Sequence, residues 1–353
     1  MRTSASRTRE AAGARRIGHP TLVVLGAINW DTTIFEGRFA KAGEEVPIKR
    51  AEGYPGGKGA NAAVAATRLL GKGRVAFIGA IGDDGIGATL RESLQSEGVL
   101  TDGLTMTKGA ESGRAFVVVN ESGAKQIHTL FGANDSLAPH DLRSSPAGGA
   151  LSVGAATVIM DVPLLAAIEA ARASKRVGAR VFYSPGVRIG GGGLLLQRAF
   201  GLADHLVLDS IELSHLTSEQ EPRRALLKLG SLHPRLAIVA TLGSSGCLVA
   251  AGQEIIPVPP FDLRVLGLRP VNSTGSGDAF LAAYACYSLS GASPERAAEW
   301  GNLAGALKAA SSATRGSPTR EELESAMKRF EGVRERPLGS PSKRASLRSR
   351  RRS

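Results

Sequence analysis

From Thr21 onward, apolar runs of strand length alternate with longer stretches whose apolar positions recur at helical spacing. That alternation predicts an α/β fold with a largely parallel sheet. Leu22 to Gly26 reads as a first buried strand, 59–70 as an Ala-rich helix, 75–78 as a strand and 87–97 as a helix closed by Gly98. Residues 114–120 and 126–130 flank Glu121-Ser122-Gly123 as a hairpin. With the polar stretch 32–49 they predict a small sheet outside the main layers. From about residue 155 the alternation resumes, with strands at 158–160, 180–183, 205–208, 237–241 and 247–250 and helices at 164–174 and 192–202. Two long helices follow, from Gly277 to about Ser290 and from Pro294 to about Ala310, and 319–330 is a last amphipathic helix. No internal repeat interrupts this order, and a glycine run at 190–193 reads as a loop.

Charge alters the reading only at the ends. The 353-residue chain carries a formal +12, but residues 1–20 supply +4 of it and residues 331–353 supply +6. The stretch between them holds 31 basic and 29 acidic residues and is nearly neutral. Both tails are rich in Ser and Arg and poor in large apolar residues, so they are expected to be disordered and solvated. Because the basic charge lies there, it does not point to a nucleic-acid partner for the body. The N-terminal stretch is Arg-rich and acid-poor like an organelle transit peptide but lacks an amphipathic period. Apolar runs such as Leu22 to Leu25 and Phe116 to Val119 fall far short of the roughly 18 residues of a membrane span. Cys247 and Cys286 have neither disulfide nor zinc spacing, which fits a reducing cytoplasm.

Three constellations carry chemistry. Asn272-Ser273-Thr274-Gly275-Ser276-Gly277-Asp278 runs straight into an apolar helix. A glycine-rich turn opening a helix aims free N–H groups at one point, where the dipole adds partial positive charge. An acid at that spot suits a group that accepts a proton beside a bound anion, which suggests phosphoryl transfer to an alcohol. Gly56-Gly57-Lys58-Gly59-Ala60-Asn61 is a second glycine-rich turn at a helix start. Its spacing excludes a P-loop, since Gly53 precedes Gly57-Lys58 by three residues and Gly59 follows. A dinucleotide fingerprint is excluded too, because the first strand ends with the single glycine Gly26. Lys and Asn at such a turn suit recognition of hydroxyls. Asn29 and Asp31 share one face of an extended segment while Trp30 points away. Just beyond the first strand, they lie where open α/β sheets bind ligands.

The ordered set Gly-x-Ile-Asn-x-Asp, Gly-Gly-Lys-Gly-Ala-Asn, Thr-Leu-Gly and Asn-Ser-Thr-Gly-Ser-Gly-Asp-Ala-Phe resembles the ribokinase-like (PfkB) carbohydrate kinases over about residues 21–330. The resemblance implies a three-layer α/β/α kinase domain with a mostly parallel sheet and a small β-sheet lid built from about 32–54 and 112–131. It implies ATP and Mg²⁺ as cofactors, with a small sugar or phosphosugar as the acceptor. Asp278 would be the base, and Gly275, Ser276 and Gly277 would stabilise the transferring phosphoryl group. Asn29, Asp31, Gly57, Lys58 and Asn61 would hold the sugar. Thr241, Gly243 and Gly246, with Thr274 and Asn302, would bind nucleotide. The lid is a candidate surface for a homodimer.

Four departures qualify this resemblance. Asp209-Ser210-Ile211-Glu212 stands where the family has Asn-x-x-Glu; Asp209 keeps an oxygen, so Asp209 and Glu212 remain the expected metal pair. Asn272 replaces the Asp that helps ribokinases build a monovalent-cation site, which puts potassium in doubt and leans toward phosphosugar kinases. The Glu expected after strand 158–160 is missing, with Asp161 the nearest acid. The stretch Leu69-Leu70-Gly71-Lys72-Gly73 lengthens the first signature. Ribose ranks first as substrate, ahead of a phosphofructokinase-type or nucleoside substrate. A phosphosugar would call on Arg38, Lys41, Lys49 and Arg50 of the lid. A non-catalytic sugar- or nucleic-acid-binding protein on the same fold is the competing reading, opposed by the intact Asp278. His128 and His205 are assigned no role.

Overall fold

The computed structural model describes residues 20–334, apart from 144–145, 191–192 and 253. Every residue of β1 (Leu22–Gly26) is buried. Leu22 and Val24 join one hydrophobic core, and Val23 and Leu25 join another on the opposite face. A strand apolar on both faces must be covered on both, which dictates three layers. The chain continues through β2 (Asn29–Glu36), β3 (Ile48–Gly56), α1 (Lys58–Leu70), β4 (Val75–Gly82), α2 (Gly85–Ser96), β5 (Leu100–Thr107), β6 (Gly113–Val119) and β7 (Lys125–Leu130). Next come α3 (Pro139–Arg143), α4 (Ala147–Leu151), β8 (Ala156–Met160), α5 (Leu164–Arg176), β9 (Arg180–Ser184), α6 (Gly193–Phe200), β10 (His205–Asp209), α7 (Ser210–Thr217) and α8 (Pro222–Leu232). It closes with β11 (Ala237–Thr241), β12 (Cys247–Ala251), β13 (Glu254–Val258), α9 (Ser276–Leu289), α10 (Pro294–Ala309) and α11 (Arg320–Arg334).

The main sheet has the order β13-β12-β11-β10-β9-β8-β1-β4-β5. It is parallel from β5 to β11 and antiparallel across β12 and β13. Residues of α1, α2, α9, α10 and α11 pack on one face and residues of α5, α6, α7 and α8 on the other. The expected three-layer α/β/α fold is therefore present. Helix α9 has ten buried residues among its fourteen, as a helix enclosed by α1, α10 and the sheet must. The small sheet has the order β3-β2-β6-β7 and is mixed, since β2 runs parallel to β6. Among the described residues no helix is long and apolar enough to cross a membrane.

Strand order reverses at β1, which has β4 on one side and β8 on the other. In an open parallel sheet that reversal leaves a crevice beyond the carboxyl ends of the two strands. Here the ends are Gly26 and Met160, and Ala27 N–H bonds the Met160 carbonyl at 3.3 Å.

Several sequence expectations shift. Asn29 and Asp31 do not extend β1: the chain leaves the main sheet at Ala27–Ile28, and both residues open β2 of the small sheet. The strand at 75 runs to Gly82, and β5, β13, α7 and α8 are additional elements. Strand β5 is an edge strand with Asp102 exposed, Thr105 and Thr107 half-buried and a polar Thr101 at a buried position, so its apolar signal is weak. Helix α11 reaches Arg334, so residues 331–334 of the expected disordered tail are helical. The rest of that tail and residues 1–19 lie outside the described residues. Gly193 opens α6 rather than sitting in a loop, and 191–192 lie outside the described residues.

Candidate active site

Helices α1 and α9 pack against one another, and both open on glycine. Gly57 has φ 89° and Gly275 has φ 83°, and neither helix receives a side-chain cap. By contrast Asp84, Glu221 and Ser293 cap α2, α8 and α10. First-turn N–H groups have no intrahelical acceptor; Ala60 donates instead to the Ala27 carbonyl at 3.2 Å and Ser276 to the Ser273 carbonyl at 3.1 Å, and the other first-turn donors suit an outside anion or hydroxyl. Glycine is required at both: a Cβ on Gly57 would lie 2.6 Å from the Asn29 nitrogen, and one on Gly275 would lie 2.8 Å from the Thr314 carbonyl oxygen. Asn272 shapes the second turn. Its Oδ1 accepts the Thr274 N–H at 3.0 Å and its Nδ2 donates to the Ser312 carbonyl at 3.0 Å.

Asp278, in the first turn of α9, is buried, and its Oδ2 accepts a bond from Asn61 Nδ2 at 2.9 Å. Arg315 Nε donates to Asn61 Oδ1 at 3.2 Å, while its guanidinium also reaches the Gly56 carbonyl at 3.2 Å and Ser93 Oγ at 2.6 Å. Both ends of the Asn61 amide are thus engaged, and its orientation follows from Arg315. Burial raises the Asp278 carboxyl above the usual range, against the Asn61 bond and the Lys58 charge. Burial likewise pushes Asp31 up to about 7, helped by Asp278 and opposed by Arg315 and the Gly57 N–H. Asp31 Oδ1 is buried without a hydrogen-bond partner. Asn29 is held by Asn134, whose Nδ2 donates to Asn29 Oδ1 at 2.9 Å and whose Oδ1 accepts the Ile28 N–H at 2.9 Å.

Lys58 lies 3.6 Å from Glu212 Oε1. Burial alone would lower its pKa, but Glu212, Asp161, Asp278 and Asp209 together raise it, so it is firmly cationic. Asp209 and Glu212 form a capping box at the start of α7: Asp209 Oδ1 accepts the Glu212 N–H at 2.8 Å, and Glu212 Oε2 accepts the Asp209 N–H at 2.9 Å. Each carboxylate keeps one oxygen outside the capping box, that of Glu212 facing the Lys58 ammonium. Mg²⁺ keeps most of its waters and takes one or two carboxylates besides phosphate oxygens, so this hard-oxygen pair fits it. The register of β10 and β11 sets Thr241 beside Asp209, and the tight turn of Gly243, Ser244 and Ser245 follows, ending at Gly246 with φ 85°. Asn302 spends its amide on the Val258 and Pro259 carbonyls, 3.2 Å from each.

The structure thus brings Asp31, Gly57, Lys58, Asn61, Glu212 and Asp278 to one crevice. Thr274 Oγ1 accepts from Lys125 Nζ of the small sheet at 3.4 Å. A monovalent cation does not fit at Asn272, because the neutral amide is engaged and Lys308 Nζ already bonds the Asn272 carbonyl at 2.9 Å. Asp161 sits at the crevice floor with φ 51°, a left-handed geometry rare outside glycine, 3.7 Å from Arg188 Nε. Burial raises its pKa against Lys58 and Arg188. His205 is packed: its ring stacks on Phe182, Nδ1 lies 2.8 Å from the Tyr284 hydroxyl, and burial lowers it to about 4. His128 is exposed on β7.

Arg315, Asn134 and Lys308 were not singled out from the sequence. Asn134 had a signal, since Gly132-Ala133-Asn134 repeats the Gly59-Ala60-Asn61 at the start of α1. Lys308 lies in the last turn of α10 and Arg315 in the segment after it, and neither carries a motif.

The model of the pfkB family of carbohydrate kinases matches residues 19–320. The chain belongs to that family and is a ribokinase-like carbohydrate kinase. It is 31% identical over 308 residues to the ribokinase of Bacillus subtilis, covering 86% of this chain and 98% of that one. It is 27% identical over 298 residues to an ATP-dependent ribose-1-phosphate kinase of Halopiger xanaduensis, covering 84% and 95% of the two chains. The structure of Arabidopsis thaliana ribokinase complexed with ribose and ATP superposes with a TM-score of 0.76 at 26% identity, covering 88% and 99%.

Proposed function

We propose that this kinase transfers the γ-phosphoryl group of ATP to a hydroxyl of ribose, with Mg²⁺ bound at Asp209 and Glu212. The observation that carries the reading is Asp278: a buried carboxylate of raised pKa at the uncapped start of α9, bonded to Asn61 and facing the sugar-side turn. The Arabidopsis relative, solved with ribose and ATP, supports the choice of both substrates.

Asn29, Asp31 and Lys58 hold the sugar hydroxyls from one side, with the unpartnered Asp31 Oδ1 accepting from one of them. Asp278 orients the acceptor hydroxyl and takes its proton as the bond to phosphorus forms. The turn Gly275-Ser276-Gly277 presents the Gly275 and Gly277 N–H groups to the phosphoryl oxygens, while the Ser276 N–H closes the turn on the Ser273 carbonyl at 3.1 Å, and positioning with charge neutralisation supplies most of the rate. The nucleotide lies along Thr241, Gly243, Gly246 and Thr274, with Asn302 shaping the loop beside it. Mg²⁺, when bound, supplies charge neutralisation at the phosphates.

A phosphosugar is disfavoured by the lid. Arg38 pairs with Glu44, Lys49 with Glu121 and Arg50 with Glu52, all on exposed surface, so three of the four lid cations are already matched. ATP consumption with ribose, fructose 6-phosphate, 2-keto-3-deoxygluconate and nucleosides tests the assignment. The highest kcat/KM is expected for ribose; a higher value for fructose 6-phosphate or a nucleoside would overturn it.

A further inference from the structure

Lys308 has no part in the mechanism above, yet it is among the most enclosed side chains of the protein at 1% exposure. Lysine is almost never fully buried unless paired. It projects from the last turn of α10, and its Nζ donates to the Asn272 carbonyl at 2.9 Å, the first residue of the anion-binding turn. It also lies beneath the apex of that turn, since a Cβ on Gly275 would come within 3.5 Å of Lys308 Cε. Asp278 is close enough to act on it electrostatically. The ammonium thus stands at the meeting of the turn, the base and the 311–316 loop. That loop is joined to the turn through Asn272 Nδ2 and the Ser312 carbonyl.

We propose that Lys308 is a built-in cation for the anion-binding turn, a positioning residue whose ammonium holds the turn and counters the charge gathered at Asp278, so that no monovalent ion is needed. A fixed charge at the end of a side chain costs no ion-binding equilibrium, and the neutral Asn272 leaves it without a competing carboxylate on the turn. Burial lowers Lys308 to about 8 while Asp278 opposes the shift, so the ammonium form prevails at neutral pH.

This inference rests on the sugar-kinase reading, and its test is separable from it. Crystals of the full chain and of Lys308→Ala are soaked in rubidium chloride and compared by anomalous scattering. An ion at the Asn272 carbonyl is expected in the variant and not in the parent; an ion there in the parent would overturn the proposal whatever the substrate is. In solution, turnover of the parent should change less than twofold between sodium and potassium salts. Lys308→Met should lower kcat about tenfold with KM for ATP nearly kept, and Lys308→Ala should regain activity with potassium or ammonium. Unchanged kcat in Lys308→Met, or activation of the parent by potassium, contradicts the inference. If the variants fail to fold, the parent's response to potassium decides alone.

Discussion

Asp31 and Asn61 meet the same crevice with different loads. Asp31 carries a carboxyl raised to about 7, so between about pH 4 and 7 the folded state binds more protons than the unfolded one. Its contribution to stability therefore falls as pH rises through that window and stays unfavourable above it. Asp31→Asn removes this dependence. Thermal melts from pH 4 to 8 should show the variant gaining on the parent as pH rises, while KM for ribose increases; a constant offset across the range would contradict the burial argument. Asn61 touches Asp278 directly and is itself held by Arg315. Losing that contact leaves the Asp278 carboxyl free to turn, and, with Asp278 as the proposed base, misplacement on that scale is expected to cost on the order of 10²-fold in rate. Steady-state kinetics of Asn61→Ala should show this in kcat more than in KM for ATP.

At the level of elements, the site depends on two helices that start on glycine. Gly57→Ala places a methyl group against the backbone of Ile28 and Asn29 and forces φ near 89° on alanine. Such strain costs about 1–3 kcal/mol before the clash is counted, so urea melts should show clear destabilisation. Gly85→Ala, at the first position of α2 with open space around it, should be close to neutral. The same elements show what was legible from sequence. Strands buried on both faces, the two glycine turns and the 114–130 hairpin announce themselves by run length and by turn residues. The place where Asn29 and Asp31 pass from β1 into the small sheet did not, because an extended segment looks the same in either sheet. Strand β5 escaped because an edge strand needs only part of one face apolar.

Across the whole molecule, the chemistry-bearing residues come from separated parts of the chain. Asn61 and Asp278 are 217 positions apart, and Arg315 reaches back 259 positions to Gly56. The glycine-rich motifs are legible because each is a local turn whose backbone requirement is written in glycine. Arg315 and Lys308 act by closing distances that only the fold creates, so no local spacing reveals them, whereas Asn134 is betrayed only by its Gly-Ala-Asn triplet. The neutral body and the basic ends also separate: removal of residues 1–19 and 335–353 should leave kcat within about twofold, while a tail-driven binder would lose its partner.

The central claim is that Asp278 is the base of ATP-dependent phosphoryl transfer to a sugar hydroxyl. Its most direct measurement is kcat of Asp278→Asn with ribose and ATP, taken beside nucleotide affinity by calorimetry. Turnover should fall by about two to four orders of magnitude with ATP affinity nearly kept, whereas turnover within tenfold of the parent would contradict the account.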